Sequence, residues 1–227
     1  MRRHDGGHVV CAGRHGRVVR PQRSSVRRRP TIEIPERVPR LRRPLLRLFG
    51  AAGLRLLGWR ITGEVPNEKK FMILVAPHTS NWDFAIAFLA YLALELRASW
   101  FGKRPIFRAP FGAILRYFGG IPVWRGADHI VEQSIVAFRE NDSFILALAP
   151  EGTRRRVERW RSGFHRIALG AGVPILPVSL DFAKREVRVG PLMTLTPDYV
   201  TNLKLLSTRF AAATPKRPEL WNPEPIA

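Results

Sequence analysis

The sequence predicts an α/β domain in which a mostly parallel or mixed central sheet is flanked by helices, with an N-terminal amphipathic helix. Two observations carry that expectation. From Arg60 onward, short apolar runs that end near proline or glycine alternate with longer stretches of helical length, the order of elements that builds a helix-covered sheet. The chain of 227 residues, 45% of them hydrophobic, is long enough for one domain with a full core and too apolar to be disordered throughout.

Met1–Pro39 is rich in Arg, Gly and Pro and shows no hydrophobic period, so residues 1–39 are expected to be a disordered basic leader. Arg42–Arg60 interleaves Leu45, Leu46, Leu48, Phe49, Leu56, Leu57 and Trp59 with arginines. That pattern fits an interfacial helix with arginines at the level of lipid head groups. It equally fits a helix packed on the core, and the two readings are compatible if only part of the apolar face is buried. Phe71–Ala76 reads as a buried strand ended by Pro77, and Ser80–Leu96 has helical length. Ala98–Gly102 and Ile121–Val123 read as short strands around a helix near Phe111–Phe118. Asp128–Glu140 is amphipathic, Ser143–Ala149 is a second buried strand ending at Pro150, and Trp160–Ala171 is helical. Strands at Pro174–Leu180 and Glu186–Val189 follow. The proline-rich end, residues 214–227, is expected to be a flexible tail, which leaves 40–213 as the folded domain.

The formal charge of +20 points to an anionic partner, and nucleic acid and an anionic membrane surface are the two usual ones. Met1–Pro30 holds nine arginines against Asp5, yet the remainder is still basic. The longest unbroken apolar run, Phe84–Leu94, falls short of the roughly 20 residues a transmembrane helix needs. No span is expected, and the opening arginines are not followed by the apolar stretch of a signal peptide. Cys11 is the sole cysteine, which excludes an internal disulfide and a cysteine-built metal site. Its polar surroundings argue against a catalytic thiol.

Chemistry gathers at strand ends. In Ala76-Pro77-His78-Thr79-Ser80-Asn81-Trp82-Asp83-Phe84 a buried strand delivers His78 to a loop, and the helix after it carries Asp83 in its first turn. A carboxylate there can orient the imidazole and stabilise it when protonated. The partial positive charge at the helix start favours the neutral ring, which can act as a base. Ser80 and Asp83 also have capping-box spacing, a purely structural use of the same residues. In Pro150-Glu151-Gly152-Thr153-Arg154 the glycine allows a tight turn whose N–H groups can face an anion, and Arg154 can grip a phosphate in bidentate fashion. Phe118-Gly119-Gly120-Ile121-Pro122-Val123-Trp124-Arg125 is a Gly-Gly turn feeding a short strand that ends in arginine, and Val173-Pro174-Ile175-Leu176-Pro177-Val178 is a core strand.

Together, in this order, these four blocks resemble the glycerolipid acyltransferase family, which includes bacterial 1-acylglycerol-3-phosphate acyltransferases. The resemblance runs from about Leu45 to Pro191. Pro77 stands where the family more often has Asn, and Trp124 stands before Arg125 where a polar residue is usual. The resemblance implies a membrane-associated lysophospholipid acyltransferase of phospholipid biosynthesis. His78 would be the general base, oriented by Asp83, and the acceptor hydroxyl would attack an acyl thioester directly, with no acyl-enzyme. Arg125 and Glu151, Gly152, Thr153 and Arg154 would hold the acceptor phosphate. No metal and no resident cofactor is implied; acyl-CoA or acyl-carrier protein is the co-substrate. The expected setting is peripheral, on the cytoplasmic face of an anionic membrane, with no specific nucleic acid as partner.

Alternatives remain within reach of the same residues: an amino-lipid or other non-phosphorylated acceptor, a basic nucleic-acid-binding protein, or a catalytically dead membrane scaffold. His4, His8 and His15 lack metal-ligand spacing. His129 is expected at the surface and His165 in a structural role. The chain has no Gly-x-Ser-x-Gly element, which disfavours a serine hydrolase.

Overall fold

A computed structural model describes residues 32–123 and 127–226. Among them the elements run α1 (Pro44–Leu56), β1 (Arg60–Thr62), β2 (Lys70–Ala76), α2 (Asn81–Ala93), β3 (Ala98–Lys103), α3 (Gly112–Tyr117), β4 (Gly120–Val123) and α4 (Ala127–Glu140). Then come β5 (Phe144–Leu148), α5 (Gly163–Ala171), β6 (Ile175–Asp181), β7 (Glu186–Val189) and α6 (Tyr199–Ala211).

The strands form one seven-stranded sheet in the order β1-β7-β6-β2-β5-β3-β4. β2 pairs in parallel with β5 and β6, β5 with β3, and β3 with β4. Only β7 runs antiparallel to its neighbour β6, with β1 parallel to β7. Five strands therefore end along one edge of the sheet, where an open α/β sheet gathers its ligands. Leu74 lies beside Leu148, and Ala76 beside Ser179, so the loops after β2, β5 and β6 emerge side by side.

Strand alternation feeds a separate core on each face. Met72, Leu74, Leu146 and Ile175 meet Phe138, Phe164, Ile167, Leu206 and Phe210 on one side. Phe71, Ile73, Ile145, Leu176 and Leu180 meet Leu54, Ile86, Ala90 and Leu94 on the other. β6 is buried along its whole length, as expected of a central strand covered by helices on both faces.

Helix α1 starts at Pro44, where a missing N–H costs nothing. It lies against α2 at Gly50, because a Cβ there would meet the Ala93 nitrogen and the Leu89 carbonyl oxygen at 2.6 Å. Leu54 is buried beneath it, while Leu45, Leu48, Phe49 and Leu56 face solvent. One stripe of the helix therefore packs on the core and another is left open to solvent.

The structure departs from the sequence expectations at both ends of the domain. Within the expected leader, Val38 is buried and Ile32 and Ile34 pack on the core. Arg97 donates its N–H to the Pro39 carbonyl, and Leu41 donates to Glu95, both at 2.8 Å. Ile32, Ile34 and Val38 supply the apolar side chains that seat this stretch. The remainder of the leader, with Cys11 and the first three histidines, lies outside the described residues. The proline-rich tail is seated too. Trp221 is buried with its ring 6.0 Å from that of Trp160, and Ile226 donates its N–H to the Glu158 carbonyl at 2.7 Å. Prolines shape this segment without freeing it, because one large apolar side chain anchors it. Helix α6 and strand β1 were not among the expected elements. α6 does carry a signal: Asp198 caps its start by accepting from Val200 and Thr201, and Leu203, Leu206 and Phe210 recur at helical spacing on its buried face.

Among the described residues no helix is long and apolar enough to cross a membrane, and no group of three or more His, Cys, Asp or Glu side chains is placed to hold a metal ion.

Candidate active site

β2 ends at Ala76, and the loop that follows brings His78 to the sheet edge before α2 begins. Ser80 caps that helix by accepting the Trp82 N–H at 3.1 Å. Asp83 returns the favour to the loop: its Oδ2 accepts the N–H groups of Thr79 and Ser80, each at 2.6 Å, and its Oδ1 accepts the Ser80 hydroxyl at 3.0 Å. The capping box anticipated from the spacing is present. It leaves the carboxylate facing the imidazole as well. The same Oδ2 lies 3.5 Å from His78 Nδ1, with the Asp83 side chain 1% exposed and that of His78 20%. A distance of 3.5 Å is long for a hydrogen bond, but pairs of this kind commonly tighten only when substrate binds. The carboxylate is held by three hydrogen bonds, and the imidazole beside it stays partly exposed.

Burial holds the His78 imidazole below the ordinary histidine range; Asp83 pulls it up, and the Arg154 guanidinium pushes it down again. The net direction favours the neutral ring near neutral pH. With Nδ1–H directed at Asp83, Nε2 is the nitrogen left to accept a proton.

The second loop follows β5. Gly152 sits at φ +63° and donates its N–H to the Ala149 carbonyl at 3.1 Å, a left-handed turn that suits glycine. Arg161 donates its N–H to the Pro150 carbonyl at 3.1 Å, closing the loop. Arg154 and Arg155 are exposed, and Thr153 half-buried. Arg156 donates from Nη1 to the Trp221 carbonyl at 2.7 Å, so it serves the tail.

Glu151 differs from the expectation. It was expected to share in holding a phosphate, but the structure buries it and turns Oε1 onto the His78 N–H at 2.8 Å. A carboxylate so placed is closed to a phosphate and, when ionised, would repel one. Burial pushes its carboxyl up to about 7; its own N–H and that of His78 oppose this, and the Asp83 charge adds to it. Its other oxygen, Oε2, is buried without a hydrogen-bond partner, which a protonated, neutral carboxyl tolerates better than a carboxylate does.

Two features escaped the sequence. The Arg217 N–H donates to Thr79 Oγ1 at 3.2 Å, and Phe182 donates its N–H to the Thr214 carbonyl at 2.8 Å, so the C-terminal segment straps the His78 loop to the end of β6. Beside Trp82, a groove of about 590 Å³ is lined by Leu56, Leu57, Trp59, Phe182 and Lys216, among others. Trp221, an apolar residue in a polar stretch, was the available signal for the first. The groove had none, since four separate segments build its walls.

The structure thus brings His78, Asp83, Glu151 and Arg154 together at one edge. Arg125 and Trp124 lie outside the described residues. His165 is placed as expected: its Nε2 is 2.9 Å from the Thr196 carbonyl and 3.0 Å from Asn202 Nδ2, in a buried setting. His129 is exposed beside Gln133.

Comparison with known proteins bears on this arrangement. Residues 58–181 match the family model described as Acyltransferase, a span that includes both loops. The chain is 24% identical over 144 residues to the 1-acyl-sn-glycerol-3-phosphate acyltransferase of Haemophilus influenzae. That match covers 59% of this chain and 59% of the relative's length. The crystal structure of the 1-acyl-sn-glycerophosphate (LPA) acyltransferase PlsC from Thermotoga maritima is similar, with a TM-score of 0.53, 18% identity and coverage of 73% of this chain and 75% of that one. At that identity the likeness concerns the fold alone.

Proposed function

The chain belongs to the acyltransferase family, and on that premise we propose that it moves a fatty acyl group from an acyl thioester to the hydroxyl of a lysophospholipid, of the 1-acylglycerol-3-phosphate type. The observation that carries the reading is the His78–Asp83 pair, with the carboxylate fixed by Thr79 and Ser80 at the mouth of the sheet edge.

His78 Nε2 takes the proton of the acceptor hydroxyl as its oxygen bonds to the thioester carbonyl carbon. Asp83 stabilises the imidazolium that forms. Collapse of the tetrahedral intermediate breaks the carbon–sulfur bond, and the departing thiolate takes the proton from His78. The acyl group passes directly to the acceptor without residing on the protein. Acyl-CoA and acyl-carrier protein both satisfy this chemistry as donor.

Arg154, with the Gly152–Thr153 turn and Arg125, receives the acceptor phosphate. Glu151 acts as a positioning residue that ties the second loop to the His78 backbone. The apolar groove beside Trp82 suits a hydrocarbon chain, and Lys216 at its rim suits the head group of the same lipid. The exposed face of α1, with Arg47 and Arg55 among its leucines, lies at the head groups of an anionic membrane on its cytoplasmic side.

Transfer of labelled acyl groups to a panel of acceptors tests the reading. Lysophosphatidic acid is expected to be acylated faster than a neutral monoacylglycerol. A preference for the neutral or an amino-lipid acceptor would refute the phosphate assignment. Absence of transfer to every acceptor would refute the activity.

A further inference from the structure

We infer that residues 103–118, the stretch between β3 and β4, form a second membrane-contacting surface that docks on an anionic lipid bilayer. Ile106, Phe111, Ile114 and Tyr117 are 47%, 65%, 54% and 56% exposed. They fall within a 3-10 turn (Arg104–Phe107) and the short helix α3. The segment is firmly seated. Phe107 is buried with its ring 5.9 Å from that of Trp100, and the Arg116 guanidinium lies 5.6 Å over the Phe107 ring. Gly112 is buried against the backbone of Phe107. Outward-facing apolar side chains on a seated segment are a permanent feature of the surface, and several large ones exposed on one short segment mark an interaction site.

Charge identifies the occupant. Lys103, Arg104, Arg108 and Arg116 are interleaved with these apolar residues, and no acidic residue occurs between Glu95 and Asp128. Basic residues among protruding apolar ones are the composition of a surface that sits at a phospholipid interface, with cations at the phosphates and apolar tips below them. The exposed face of α1 repeats the pattern, with Arg47 and Arg55 beside Leu48, Phe49 and Leu56. Position gives the surface a purpose. The segment leaves the C-terminal end of β3, which is parallel to β5, itself parallel to β2, so it starts from the sheet edge that carries His78 and Glu151. A bilayer met there presents its lipids to the catalytic loop. That purpose rests on the acyl-transfer reading, whereas the docking itself is measured without any transfer.

The test uses the full chain and sedimentation with vesicles of phosphatidylglycerol or of phosphatidylcholine. The double variant Phe111→Ser, Ile114→Ser is expected to bind phosphatidylglycerol vesicles about tenfold more weakly. Val200→Ser, which removes a similarly exposed apolar side chain on α6, is expected to bind as the wild type does. Independently, Phe111→Cys in a Cys11→Ser background, labelled with an environment-sensitive dye, is expected to shift to the blue on phosphatidylglycerol vesicles. Undiminished binding by the double variant, or a dye that stays in water, overturns the inference. Equal binding to phosphatidylcholine vesicles overturns its electrostatic part. Failure of acyl transfer with docking intact would strike the proposed activity and leave this surface standing.

Discussion

The two loops that meet at the sheet edge are built in opposite ways. The one after β2 is buried and knotted, with Asp83 accepting from Thr79 and Ser80 and sitting beside His78. The one after β5 is open, with Gly152 in a left-handed turn and Arg154 and Arg155 reaching into solvent. Proton transfer needs a group held in one geometry, whereas gripping an anion needs charge that a ligand can reach. The contact between them is the Glu151 carboxyl group on the His78 N–H: the open loop contributes a buried side chain to the closed one.

The largest effect is expected from breaking the knot. Asp83→Ala removes a helix cap and leaves buried N–H donors without partners, so it should cost about 3–5 kcal/mol of stability. By analogy with orienting carboxylates elsewhere, turnover should fall about 10³-fold or more. Urea denaturation and acyl-transfer assays read the two effects separately. Retained turnover in Asp83→Ala would reduce this residue to a cap.

Next in size is the strap. Trp221→Ala empties a buried site against Trp160, whose ring in turn lies on Phe210, and should lower stability by about 3–5 kcal/mol. A change within the error of the denaturation curve would mean that the C-terminal segment is not part of the folded unit.

Glu151→Gln sharpens the comparison. The folded carboxyl titrates near 7, against 4.5 for its ordinary value, so the folded protein holds a proton that the unfolded chain has lost. The stability this contributes is complete below the lower value and is lost as pH rises through the upper one, on the order of 3 kcal/mol in all. Glutamine can still accept the His78 N–H without titrating. Melting temperature plotted against pH between about 5 and 8 should therefore be flatter in the variant than in the wild type. Parallel curves would contradict a buried, titrating Glu151.

The smallest effect belongs to the open loop. Arg154→Ala should raise KM for a phosphorylated acceptor about tenfold and change kcat little. Because this guanidinium helps to hold the His78 imidazole down, the acid limb of the kcat/KM profile should move to higher pH. An unchanged KM would show that Arg154 does not read the phosphate.

Much of this comparison was legible in the sequence. The strand before His78, the helix after it and the turn at Gly152 are local patterns: apolar runs, a capping-box spacing and a glycine. The part Glu151 plays was not, because the direction of a side chain after a strand depends on what lies in the next strand over, and only the β2–β5 register places His78 within its reach. The strap was missed for a related reason. Proline content says how a segment bends, while its fate depended on Trp221 finding Trp160 across a long sequence separation. Helix α6, by contrast, had its cap at Asp198 and its apolar spacing in plain view.

The most direct measurement compares acyl transfer to lysophosphatidic acid by the wild type and by His78→Ala, each shown to be folded by its melting curve. If His78 is the general base, the variant keeps its fold and loses turnover by about 10³-fold or more. A folded His78→Ala protein that transfers acyl groups at the wild-type rate would contradict the central claim.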